Sequence, residues 1–292
     1  MTTPRVWHIT GANTGFGLEL ALKALREGDL VIAAVRTPSK VPPSLLNDSV
    51  RVLPYDLSLS QLALNTYAST AFSAFGRIDV LVNNAAYAYM GALEETDDER
   101  VKKQFDINVF GVLRTIRAFL PGLRAQGSGT IMNVSSIGGI HSYPSNGAYC
   151  ATKFAIEAIS EALAAEVEGF GIRVTIVEPG YFRTAFLASV AGAGGPGADF
   201  LAEENPAYNG TVAHEARAAF WAYNGKQPGN PVEGAARMWE YVAGEGLFKG
   251  KERLLRLPLG TDTGAQMRKT ADELKRTADY YEDVWSSTDF KE

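Results

Sequence analysis

Through residue 185 the chain alternates two kinds of segment, and that alternation narrows its fold more than any other feature. Short, mostly apolar runs read as strands: "VWHIT" (6–10), "LVIAAV" (30–35), "VRVLPYDLS" (50–58), "RIDVLVNNA" (77–85), "GTIMNVSS" (129–136) and "IRVTIVEPG" (172–180). Between them lie longer segments with helical period: 16–28, which stops at Gly28, then 60–75, 97–124 and the segment carrying "YCATK" (149–153). Strands that are apolar on both faces and separated by helices specify a parallel sheet covered on each side. The expected class is α/β, a doubly wound parallel sheet. Ligands of such sheets bind beyond the carboxyl ends of the strands.

After about residue 185 the pattern changes. "SVAGAGGPGADF" (189–200) is rich in Gly and Ala and has no period. It reads as a lid, with glycines 192, 194, 195 and 197 making it mobile without ligand. A helix is expected at 231–243 and a short strand at 252–260. In the tail, Met267, Ala271, Leu274, Ala278, Tyr281 and Trp285 form one apolar helical stripe. Its simplest partner is the protein's own body; a dimer seam is the alternative. The whole, 1–292, is expected as one dinucleotide-binding catalytic domain. It divides into a core at 1–185, a substrate lid at about 186–230 and a C-terminal helix, strand and tail at about 231–292.

Composition excludes several classes. A net charge of −5 and the lack of any long Lys/Arg run argue against a nucleic-acid partner. The lone cysteine, Cys150, forms no intramolecular disulfide and no multi-cysteine metal site, and the three histidines show no ligand spacing, so no metal is expected. No apolar run approaches the ~20 residues of a membrane span. A strand-like run already begins at Arg5, leaving no room for a secretory signal. The expected setting is cytoplasmic, with no membrane partner, and a homo-oligomer remains open.

"TGANTGFG" (10–17) lies between the first strand and the first helix. Glycines at 11, 15 and 17 allow a tight turn and let a pyrophosphate approach backbone N–H groups at the helix N-terminus. Asn13, Thr14 and Phe16 complete this dinucleotide loop of a Rossmann-type sheet. The second strand ends "AAVRT", with Val35 where an acid would bind a ribose 2′-hydroxyl and Arg36 next to it. No Asp or Glu occurs between Leu30 and Asn47. An arginine there accommodates a 2′-phosphate, so NADP(H) is expected over NAD(H).

"YCATK" sets the Tyr149 phenol and the Lys153 ammonium on one helix face. The pair alone is a weak signal, and its company decides. Ser136 lies 13 residues before Tyr149 at the end of the fifth strand, Asn108 lies in the preceding long helix, "NNAA" (83–86) ends the fourth strand and "PGYFRT" (179–184) the sixth. Together with Asp56 in "YDL", these motifs resemble the short-chain dehydrogenase/reductase family in order and spacing from residue 10 to 184. Two departures stand out. Ala86 replaces the glycine usual in the family, and Thr14 stands where NADP-preferring members often carry a basic residue.

The resemblance implies roles. Asn108, Ser136, Tyr149 and Lys153 would be catalytic. Lys153 would hold the nicotinamide ribose and lower the pKa of Tyr149, because a nearby cation favours the phenolate. Bringing a phenol from ~10 to ~7 takes roughly 4 kcal/mol. Tyr149 would then exchange a proton with a substrate oxygen, Ser136 would hydrogen-bond that oxygen, and Asn108 would order a relay water. Cofactor contacts would add Asp56, Leu57, Asn83, Ala85, Pro179, Gly180, Phe182 and Thr184. Tyr87, Tyr89, His141, Tyr143 and Phe186 would line an aromatic mouth suited to a bulky apolar carbonyl or alcohol. The implied enzyme interconverts such a ketone or aldehyde with its alcohol. The alternatives are a non-redox isomerisation, dehydration or cyclisation on the same scaffold, and a cofactor-binding redox sensor.

Overall fold

A computed structural model of the chain describes residues 3–187 and 200–290. Seven parallel strands form one sheet in the order β3-β2-β1-β4-β5-β6-β7. They are β1 Val6–Thr10, β2 Leu30–Val35, β3 Val50–Pro54, β4 Val80–Asn83, β5 Gly129–Val134, β6 Ile172–Pro179 and β7 Arg256–Leu259. The order reverses between β1 and β4, which opens a crevice at the carboxyl ends of those strands. The apolar runs of the sequence extend beyond β3, β4 and β5 into the loops that follow, because the polar ends of those runs leave the sheet to build that crevice. The Asp56, Asn84 and Ser136 positions all lie past the last residue of their strand.

Helices cover both faces. On one side α1 (Gly15–Arg26) and α7 (Pro231–Ala243) pack around Trp7, Ile9, Leu20, Met238 and Trp239. The buried Asp29 carboxylate joins these elements by accepting from the indole N–H of Trp7 at 2.9 Å and of Trp239 at 2.8 Å. On the other side α2 (Gln61–Phe75), α4 (Val112–Gln126) and α5 (Gly147–Val167) pack around Leu64, Leu81, Ile116, Phe119, Ile131 and Ile156. Local sequence sets the ends. Ser60 caps α2 by accepting from the Ala63 N–H, and α2 and α4 stop at Gly76 (φ 79°) and Gly127 (φ 67°), which take the left-handed conformation cheaply.

The long helix expected at 97–124 is interrupted. It begins as α3 (Asp98–Phe105), widens into a π-helical stretch over Asp106–Gly111 and resumes as α4. Periodicity does not reveal a one-residue change in helical winding. The segment 200–230 holds α6 (Val212–Ala222) and is tied to the body. Met90 N–H donates to Phe200 O at 3.0 Å, Ala202 N–H to Met90 O at 2.8 Å, and Arg217 pairs with Glu95. The glycines 192, 194, 195 and 197 lie outside the described residues.

The tail corrects one expectation. Only the first turns of α8 (Thr261–Tyr280) touch the body, where Thr263 is buried. From Ala271 onward, through α9 (Glu282–Ser286), every residue to 290 is exposed, with Leu274 at 67% and Trp285 at 53%. Beyond Met267, which is half-buried, the stripe does not pack on the protein's own body, because the helix runs past its edge. Period reports amphipathicity and not the partner.

Candidate active site

The glycine loop fits an anion. Gly11 and Gly15 take positive φ of 68° and 55°, and a side chain at Gly17 would stand 2.5 Å from the Gly11 carbonyl oxygen. Thr14 enters α1 in extended conformation without a side-chain cap, and no acidic residue occupies the first turn. The first N–H groups of α1 therefore keep their donors and the positive end of the helix dipole. Asn84 fastens the neighbouring loop by donating to Thr10 O at 2.8 Å, and the backbone N–H groups of Asn84 and Ala85 donate to Thr10 Oγ1. Asn83 pairs with Asn133 at 2.8 Å. Phe16 and Phe182 stack at 4.8 Å, and Thr184 faces Gly15, so "PGYFRT" closes over the loop's far side. Pro179 ends β6, and Gly180 abuts Asp262, leaving no room for a side chain. Arg36 is exposed at the end of β2, with no ion-pair partner among the described residues. Asp56 folds onto Ser58, and Leu57 O accepts from Arg114, which fixes the wall after β3.

Ser136, Tyr149 and Lys153 come together beside this loop. Tyr149 and Lys153 are buried on α5, with 8% and 3% exposure, and the Lys153 ammonium lies 5.7 Å from the centre of the Tyr149 ring. Lys153 Nζ donates to Val134 O at 2.8 Å, anchoring α5 to the end of β5. Ser136 Oγ accepts from the Gly138 N–H at 3.0 Å, and a side chain at Gly138 would touch both that oxygen and the Tyr149 ring. Burial dominates the electrostatics. It pushes the Tyr149 phenol well above its ordinary value, while the Ser136 hydroxyl acts in the opposite direction. Burial lowers Lys153 to about 8, opposed by the Glu157 carboxylate. In the chain alone, burial sets the direction at Tyr149, opposite to the lowering that a nearby cation is expected to bring together with the cofactor's charge.

Asn108 sits in the π-helical stretch and is buried. Its side chain accepts from the Tyr87 N–H at 3.1 Å and donates to Tyr87 O at 2.7 Å, with Thr152 Oγ1 at 3.2 Å. It clasps the "NNAAY" loop to α5. A π-bulge here is consistent with its usual association with functional sites.

Of the aromatic residues expected at the mouth, Phe186 lies 5.8 Å from the Tyr149 ring and Tyr143 stacks edge-on with His141 at 5.0 Å. Tyr87 meets Phe200 at 5.4 Å. Tyr89 does not belong with them. It is 1% exposed, its hydroxyl donates to Asp97 at 2.9 Å, and Arg100 covers its ring. Its contacts with Asp97 and Arg100 hold it inward. Phe200, Phe220 and Trp221 pack with Tyr143 and Phe186 around Tyr149 and Met90. The sequence reading missed these three; the adjacent aromatic pair in "AAFWA" was the available signal.

The sequence profile described as short chain dehydrogenase matches residues 5–193, and the chain therefore belongs to the short-chain dehydrogenase family of oxidoreductases. A short-chain dehydrogenase from Streptomyces avermitilis superposes with a TM-score of 0.84 at 36% identity, covering 99% of this chain and 100% of that one. A 3-ketodihydrosphingosine reductase of Bacteroides thetaiotaomicron is 41% identical over 183 residues, 63% of this chain and 66% of its own length. Human 17-beta-hydroxysteroid dehydrogenase type 1 is 34% identical over 192 residues, 63% of this chain and 58% of its own. Among the described residues no helix is long and apolar enough to cross a membrane.

Proposed function

We propose that the protein is an NADP-dependent oxidoreductase that interconverts a bulky apolar ketone or aldehyde with its alcohol. The observation that carries this reading is the meeting of Ser136, Tyr149 and Lys153 at the crevice, next to a glycine loop shaped for a pyrophosphate. When bound, the nicotinamide supplies or accepts the hydride. The chain's own residues do the rest. Gly11, Gly15 and the start of α1 hold the pyrophosphate. Arg36 takes the 2′-phosphate, and Asp56, Leu57, Asn83, Ala85 and the 179–184 loop bound the remainder. Lys153 holds ribose hydroxyls, Ser136 hydrogen-bonds the substrate oxygen and Tyr149 exchanges a proton with it. Asn108 keeps Tyr87 and α5 in register and serves the relay from Lys153.

The Tyr149 phenol keeps its proton at neutral pH, as an ordinary tyrosine does, and can serve as the donor to a carbonyl. The wall of Phe186, Phe200, Phe220 and Trp221 supports a bulky apolar substrate. The names of the two relatives, a ketosphingoid reductase and a hydroxysteroid dehydrogenase, fit the same substrate class. A cytoplasmic setting accords with the single, buried cysteine. Turnover of NADPH across a panel of steroid, long-chain and small ketones, followed by its near-ultraviolet absorbance, tests the proposal. Bulky ketones should be consumed fastest; an inert panel would contradict it.

A further inference from the structure

One turn beyond Lys153 on α5 lies a second buried charge, Glu157, only 5% exposed. It faces Ser135 and Gly139 of the turn that carries Ser136, with Gly139 packed so closely that a side chain there would overlap both. Arg256 of β7 donates to Glu157 Oε2 and to Glu178 Oε1 of β6, each at 2.5 Å. Glu178 is 0% exposed. Arg256 also reaches Glu161, which is outward-facing with half its side chain in water.

Burial raises Glu157 to about 7 and raises Glu178 as well, and Arg256 stands against both. The other buried cation within one helical turn of Glu157 is the Lys153 ammonium. A buried charge is tolerated when it is paired and costs several kcal/mol when it is not. The four groups, Lys153, Glu157, Glu178 and Arg256, form one buried charged cluster spanning α5, β6 and β7. Burial raises the pKa of both glutamates and lowers that of Lys153, and the Glu157 carboxylate counteracts the latter.

We propose that Glu157 is a positioning residue for the Tyr149–Lys153 pair, supplying the buried counter-charge of the Lys153 ammonium while Arg256 and Glu178 hold that carboxylate in place. This rests on the hydride-transfer reading given above. Glu157 touches neither cofactor nor substrate and acts through Lys153. With Glu157 neutral, Lys153 would give up its proton at lower pH, and the cation beside Tyr149 would be lost nearer to neutrality.

A purely structural role for Glu157, fastening Arg256 to α5, makes a different prediction. Glu157→Gln and Glu161→Gln each weaken one acceptor of Arg256, but only Glu157 lies one helical turn from Lys153. The titration of Lys153 can be followed by NMR on protein labelled with 13C at the lysine ε-carbon, with Lys153→Arg assigning the signal. In Glu157→Gln the midpoint should fall by about one pH unit, the order of effect of a charge one helical turn away. Glu161→Gln should leave it unchanged, and Glu157→Asp should restore most of it. The high-pH decline of reductase activity should move down with the midpoint. Glu178→Gln provides a second reading should Glu157→Gln not fold, because Arg256 then neutralises Glu157 alone and the Lys153 midpoint should again fall. A midpoint unchanged in both Glu157→Gln and Glu178→Gln would overturn the proposal. A wild type that reduces no carbonyl would overturn the function itself, while the lysine titration would still judge Glu157 on its own.

Discussion

Helices α5 and α8 are nearly equal in length, 21 and 20 residues, yet α5 buries ten residues and α8 buries one. Their sequences suggest the reverse. The apolar stripe of α8 is cleaner, while α5 carries alanine and apolar groups all round and buries Tyr149, Lys153 and Glu157 among them. The difference lies in what each helix meets. The buried face of α5 lies along β5, β6 and the "SSIGG" turn, so its polar side chains are forced into low dielectric and must find partners. Only the start of α8 meets the body, so its later charged groups stay in water. The proposed chemistry is concentrated in the buried helix, where desolvation gives each charge leverage over its neighbours.

The largest expected effect is on the polar side of α5. Tyr149→Phe should keep the helix intact and lower the reductase rate by ~10²–10⁴-fold, the usual contribution of a positioned acid or base. Retention of more than about a tenth of the rate would remove Tyr149 from its proposed role. Next comes the apolar side. Ile156 is 2% exposed between the sheet and α4. Ile156→Ala should cost about 2–5 kcal/mol in denaturant unfolding.

Arg36 sharpens the comparison, because it is as exposed as the tail and yet expected to matter. Arg36→Ala should weaken NADPH binding by about 1.5–3 kcal/mol, the range for a hydrogen bond to a charged group, and leave NADH nearly untouched. Equal loss for both cofactors would make Arg36 a general adenine contact. The smallest effect belongs to α8. Leu274→Ala should change monomer stability by no more than about 0.5 kcal/mol. A loss comparable to that of Ile156→Ala would mean that the stripe is covered in solution, as the alternative reading of it as a dimer seam requires.

The sheet was legible because buried parallel strands must be apolar on both faces, as "LVIAAV" and "IRVTIVEPG" are. The glycine loop and the Ser136–Tyr149–Lys153 set were legible because turn geometry and chemistry demand particular residue types. Three features were not. The π-helical stretch at Asp106–Gly111 leaves no mark in a pattern of period 3.6. Tyr89 and Tyr87 look alike in sequence, and only tertiary packing sends one to Asp97 and the other to Phe200. Glu157 stands on α5 and Glu178 within β6, and their union depends on Arg256, about 80 to 100 residues downstream, which no local pattern reveals.

Transfer of deuterium from NADPH labelled at the reactive C4 position to a bulky ketone tests the central claim most directly. With wild-type protein, mass spectrometry of the product should find one deuterium on the new carbinol carbon for each cofactor oxidised, and Tyr149→Phe should form that product at a small fraction of the rate. A product that is isomeric with the substrate and carries no deuterium, with the cofactor unchanged, would contradict the account.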